Sequence, residues 1–162
     1  MAIASNMNGV FRIISPTRIA EITDGTSNTM LFSERASGMI PDAYSADVYW
    51  WNSTVASDTL FTTLFPPNPF RKLPDVPEEH TSAWAEAPAS FHPGGINVAF
   101  ADGSVRFLKD SVDTWAFNPS TGYPVGVNNN NGNMSLTENS RMGVFQKLAT
   151  RSGGDLVGAD EY

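Results

Sequence analysis

The sequence predicts an α+β fold built mainly of antiparallel strands, with a short helix near the C-terminus. Three observations carry that expectation. Residues 96–109, INVAFADGSVRFLK, alternate apolar and polar positions on both sides of Asp102-Gly103, a dipeptide favoured in tight hairpin turns. Residues 142–149, MGVFQKLA, space Met142, Phe145, Leu148 and Ala149 three and four apart, the period of one helix face. Charged residues make up 17% of the chain and Gly and Pro number 13 and 11; an average soluble domain carries roughly 25% charge, so short strands joined by long polar loops are expected.

The elements follow in chain order. Residues 10–15, VFRIIS, read as a short strand closed by Pro16. Residues 18–22 read as a turn of helix or an extended stretch, ended by Thr23-Asp24-Gly25. In residues 29–35, TMLFSER, Met30 and Phe32 alternate with Leu31 and Ser33, as a strand requires. Tyr49, Trp50 and Trp51 form an aromatic cluster. Five prolines between Pro66 and Pro77 predict an extended loop, because proline lacks an amide donor and blocks a helix interior.

A two-residue type I′ turn at Asp102-Gly103 would set Phe100 opposite Val105 and Val98 opposite Phe107, all four on one buried face. A polar loop containing Asn128-Asn129-Asn130-Asn131-Gly132 follows. The C-terminal helix is predicted over about 140–151, capped by Asn139 or Ser140 and stopped by Gly153-Gly154. At 162 residues the whole chain, 1–162, is read as one β-rich domain.

Composition narrows function. A net charge of −7 with only 10 Lys and Arg argues against nucleic acid and against an anionic membrane surface, since both are held by cationic side chains. The absence of cysteine removes disulfides, thiolate metal sites and thiol nucleophiles. No apolar run reaches the ~18–20 residues of a membrane span, so no insertion by this chain is expected.

Three segments together carry a resemblance: ITDGTSNTMLFSER (22–35), FHPGGINVAFADGSVRFLKDSVDTW (91–115) and MGVFQKLATRSGGDLV (142–157). They resemble a planctomycete family of prepilin-like proteins of unknown function, recognised by His, nine residues, then Asp-Gly. Here His92 and Asp102-Gly103 meet that spacing. In that family a prepilin leader, a hydrophobic helix and about half a domain precede the ITDGTSNT segment. Those are missing here, so the chain reads as a C-terminal portion, a pilin-like globular head lacking its long N-terminal helix. The resemblance implies an extracytoplasmic location, at the cell surface or in the periplasm. It also implies self-association or assembly with other pilin-like subunits, or polysaccharide binding.

The motif positions are His92, Gly94, Gly95, Asp102 and Gly103, with Asp24, Gly25 and Asn28 in the earlier segment. His92 and Asp102 should lie at opposite ends of one strand, roughly 30 Å apart at ~3.3 Å per residue. Asp102-Gly103 then serves the turn and His92 anchors its loop, or His92 joins a residue from elsewhere, such as Asp24. Asp24 is the candidate calcium ligand, though a calcium loop needs about six or seven oxygens and several carboxylates, and only Glu21 and Glu34 stand by. An Asx-turn explains the same residues.

Glu78-Glu79-His80 reads as a solvated stretch. An exposed aromatic among Tyr49, Trp50 and Trp51 would make a platform for a sugar ring; core packing is the competing use. No nucleophile elbow, zinc-protease motif or phosphate loop occurs, and Ser90 and His92 share a loop far from Asp102. No cofactor is expected beyond a calcium ion at Asp24. The sequence therefore reads as a non-catalytic subunit of a surface fibre, with a polysaccharide-binding module as the alternative.

Overall fold

The computed structural model describes residues 8–12, 15–36, 56–74, 82–130, 133–154, 157–158 and 161–162. Five strands and three single-turn α-helices are found among them: β1 (Met30–Ser33), α1 (Ala56–Thr59), α2 (Pro69–Lys72), β2 (Gly95–Phe100), β3 (Val105–Lys109), β4 (Val127–Asn130), β5 (Asn133–Leu136) and α3 (Val144–Lys147). Antiparallel strands in the order β1-β2-β3 form one sheet, and β4-β5 form a separate ribbon. The predicted mainly antiparallel α+β class holds.

The hairpin forms, but one residue out of the predicted register. Val98 pairs with Arg106, Ala99 with Val105 and Asn97 with Phe107. The loop has three residues, 101–103, closed by hydrogen bonds from Phe100 N–H to the Ser104 carbonyl (2.9 Å) and from Gly103 N–H to the Phe100 carbonyl (3.0 Å). A type I′ turn needs φ > 0 at both central residues. Only Gly103 complies, at φ +86°, and Asp102 is not among the positive-φ residues. The Asp102 amide instead donates to the Thr26 carbonyl at 3.1 Å, and its carboxylate accepts from the Ser104 amide and hydroxyl at 2.9 and 2.7 Å.

A one-residue slip moves a strand's side chains to the other face. Val98 and Phe100 are buried as predicted, but Val105 and Phe107 are 67% and 45% exposed. Leu108 takes their place in the core, beside Ile96, Met30 and, from α3, Phe145, with Leu148 just after that turn. A bulge between Met30 and Phe32 brings Phe32 onto the solvent face, opposite Ala99.

Other boundaries differ too. No strand is found among the described residues of 10–15. The C-terminal helix is the single turn of α3 rather than 140–151, because its start is fixed by tertiary contacts. The Asp113 carbonyl accepts from Phe145 N–H at 3.0 Å, and the Gln146 amide oxygen accepts from Gly143 N–H at 3.2 Å. Within the proline-rich segment α2 forms despite the prolines, since Pro69 occupies the first helical turn, where no amide donor is required.

Two buried polar side chains tie the loops together, Asn68 to the sheet and Gln146 to α3. Asn68 is fully buried in the left-handed region (φ 49°, ψ 55°). Its amide nitrogen donates to Asp110 Oδ1 (2.6 Å) and to the Gly95 carbonyl (3.4 Å), and its oxygen accepts from Ser90 N–H (2.7 Å). Gln146 donates to the Thr63 carbonyl (2.9 Å) and accepts from Trp115 N–H (3.1 Å). A second core cluster under these loops holds Phe65, Trp84 and Ala87, with Phe70 edge-on to Trp84 at 5.1 Å. Beside it, burial pushes the Lys72 ammonium below the ordinary lysine value, opposed by Asp110 and Asp113.

Asn68→Gly keeps the left-handed backbone and removes all three side-chain bonds. It is expected to cost about 2–4 kcal/mol, as buried groups lose their partners, and Asn68→Ala about 1 kcal/mol more for the strained backbone. Urea unfolding midpoints measure both; a loss for Asn68→Gly below about 0.5 kcal/mol would show that the hub is dispensable.

Candidate functional site

The motif segments meet at one end of the sheet. Asp24 is 5% exposed, and its carboxylate accepts from the Thr150 hydroxyl (2.9 Å) and from the amides of Gly153 (2.6 Å) and Gly154 (2.9 Å). The backbone reinforces this clip: Asp24 N–H donates to the Arg151 carbonyl and Met30 N–H to the Leu148 carbonyl. Gly25 (φ +97°) begins the turn, and Asn28 N–H returns to its carbonyl at 3.0 Å. The hairpin tip joins the same knot through Asp102 N–H to Thr26 and Ala101 N–H to Thr29. Tyr162 stacks on Phe100 with ring centroids 6.0 Å apart, reaches Asn28 Oδ1 at 3.5 Å, and takes a hydrogen bond from Arg106. The carboxylate named as a calcium ligand is thus engaged by three protein donors. Among the described residues no group of three or more His, Asp or Glu is placed to hold a metal.

His92 sits at the opposite end, near the start of β2. Arg71 clamps its loop, donating to the carbonyls of Ser90 (2.8 Å) and His92 (3.0 Å). Gly94 takes φ +81°. Gly95 is required for a different reason: a Cβ there would collide with the Leu108 carbonyl and the Phe107 ring. The His92 ring faces Glu34 at 3.5 Å (Nε2 to Oε2), while Glu34 Oε1 accepts from the Asn97 amide at 2.6 Å. Glu34, Ser90, Phe91 and His92 line an open cleft of about 350 Å³. His92 and Asp24 are not brought together. Nor is a Ser-His-Asp relay: the Ser90 hydroxyl accepts from the His92 main-chain amide at 3.1 Å, and Asp102 lies at the far end of the hairpin.

The feature that sequence reasoning missed is the outer face of the sheet. Phe11 (45%), Phe32 (60%), Val105 (67%) and Phe107 (45%) are all exposed, and the Phe11 and Phe32 rings lie 5.4 Å apart. Taking about 200 Å² for a full aromatic side chain, they expose roughly 400 Å² of apolar surface. Contiguous patches of that size on soluble proteins often mark interaction sites. The patch runs to the edge of the sheet, because β3 pairs only with β2 among the described residues. Its signal was present as VRF flanking the turn, but the turn length decides whether Val105 and Phe107 are core or surface. Tyr49, Trp50, Trp51, Glu78, Glu79 and His80 lie outside the described residues.

The family described as "Protein of unknown function (DUF1559)" matches residues 1–114, which include the His92-to-Asp102 hairpin and the ITDGTSNT segment. The chain belongs to this family. No curated protein and no solved structure matches it. The DUF1559 chain has no helix long and apolar enough to cross a membrane among its described residues.

Asp102 carries a testable electrostatic signature of the knot. Its hydrogen bonds from the Ser104 side chain and backbone hold the carboxyl below its ordinary 3.8, so its contribution to stability is present above that value and is lost as pH falls through the depressed folded value. Carboxyl chemical shifts should show Asp102 titrating below 3.8, with Ser104→Ala returning it toward that value; an Asp102 midpoint unmoved by Ser104→Ala would contradict the assignment. Asp24→Ala, which strips three donors of a buried acceptor, should lower stability by about 3 kcal/mol or more in urea unfolding, against about 1 kcal/mol for Thr150→Val.

Proposed function

We propose that this DUF1559 chain is a non-catalytic, pilin-like subunit domain of an extracytoplasmic surface fibre. The outer face of its three-stranded sheet packs against a second copy or a related subunit. One observation carries the reading: Phe11, Phe32, Val105 and Phe107 lie exposed together on that face. Their roughly 400 Å² is about half the ~800 Å² that each partner contributes to a standard stable interface, and the adjoining open edge of β3 can supply more. Filament packing multiplies such modest contacts along the fibre. The cell-surface or periplasmic location rests on the family resemblance alone.

A polysaccharide-binding role is favoured by a different observation, Phe91 exposed to 66% beside His92 and Glu34. An aromatic face next to a carboxylate and an imidazole suits a sugar ring, which offers C–H groups on one side and hydroxyls at its rim.

Sedimentation velocity over a concentration series tests the first reading. Wild type should self-associate, and Val105→Ser with Phe107→Ser should weaken association tenfold or more, about 1.4 kcal/mol, with unchanged circular dichroism. Association indifferent to both substitutions would sink the packing face. For the second reading, Phe91→Ala should abolish retention on polysaccharide gels; retention by neither protein would remove it.

A further inference from the structure

We infer that the open edge of β3 receives a strand of the β4–β5 ribbon from a second copy, so that subunits join head to tail. The inference rests on the fibre reading above and names how its contact is made.

The edge is defined by the hydrogen-bond phase. Phe100 N–H donates to Ser104 and Asp110 N–H to Gly94, so in this antiparallel pair Arg106 and Leu108 direct their backbone groups inward to β2. Val105 and Phe107 direct theirs outward, the Lys109 carbonyl is already taken by Val112 N–H (3.0 Å), and β3 has no further strand beside it among the described residues. Val105 and Phe107 also put exposed apolar side chains on the outer face. An open edge with such side chains is the template for strand addition, where main-chain bonds give affinity and alternate side chains give selectivity.

The ribbon is the complementary piece. Among the described residues it pairs only with itself, and a lone two-stranded hairpin is at best marginally stable in water. Its strands are four residues long against five in β3. Residues 125–137, VGVNNNNGNMSLT, contain no charged side chain in a chain of net charge −7, so this ribbon approaches another copy without charge repulsion. Pairing β3 with its own copy would instead bring two Arg106–Lys109 sets within a Debye length. Ribbon and edge are different surfaces of one molecule, so the contact is heterologous and propagates as an open filament where its rotation does not close a ring.

The chain has no cysteine, which makes introduced thiols unambiguous. Full-length Lys109→Cys would be mixed with Asn130→Cys, and separately with Leu136→Cys to sample both ends of the ribbon. Mild oxidation and peptide mapping follow. Disulfides between the edge and ribbon variants should exceed symmetric disulfides at least tenfold. If wild type self-associates through the Phe107 face but only symmetric disulfides, or none, form, the strand exchange is wrong and the fibre reading stands. If wild type stays monomeric at every concentration, both fail.

Discussion

The hydrogen bond from the Asp102 amide to the Thr26 carbonyl is a small contact with a long reach. It holds the hairpin tip against the ITDGTSNT turn while Asp102 stays outside the positive-φ region. The loop then closes with three residues, and Gly103 alone supplies the left-handed step. Because strand side chains alternate, that single extra residue decides which face of β3 is core. Leu108 goes in and Phe107 comes out. The position of Arg106 follows as well: on the core side it lies 4.5 Å from the Phe100 ring centroid and 5.6 Å from that of Tyr162, and covers the end of the core with a cation–π contact.

With so little regular structure, the long loops need anchors that strands and helices cannot give. Asp24, Asn68 and Gln146 are buried polar groups that each bind several backbone groups from distant segments. A satisfied polar hub in a low-dielectric interior fixes geometry strongly, and a half-satisfied one is costly. The fold therefore depends on a few side chains whose loss leaves several backbone donors or acceptors stranded at once. Asn68 also shows why the residue must be asparagine: it tolerates the left-handed conformation and offers both a donor and an acceptor.

Period-two patterning made β1 and both hairpin strands legible, and of the motif residues Asp24, Asn28 and Asp102 make hydrogen bonds to distant segments. What was not legible depended on contacts between distant segments. Turn length at Asp102-Gly103 is a local choice in isolated hairpins, but here Thr26 and Thr29 overrule it. Spacing suggested a long C-terminal helix because Phe145 and Leu148 share a face, yet Asp113 and Gln146 cap it one residue before Val144. Proline content argued for an extended loop over 66–78, yet within the described residues up to 74 one helical turn begins at Pro69. Asn68 carried a faint signal as the residue before Pro69, a position biased toward turns. Nothing local marked it as buried. Of the candidate site, the aromatic hint pointed to Tyr49–Trp51, while the described surface exposes Phe11, Phe32 and Phe107 on the sheet and Phe91 beside His92.

An apolar outer face on a chain of net charge −7 poses a balance of forces. Self-repulsion keeps acidic molecules apart at long range, and the apolar patch draws them together only at contact. Salt shortens the first range and leaves the second nearly unchanged. With no charged residue in 125–137 and Lys109 on β3, the proposed assembly brings ribbon and edge together with little like-charge contact. Specificity then arises as much from what the rest of the surface forbids as from what the patch attracts. In the proposed assembly this places the contact at the edge of the sheet, where the backbone groups of Val105 and Phe107 face outward.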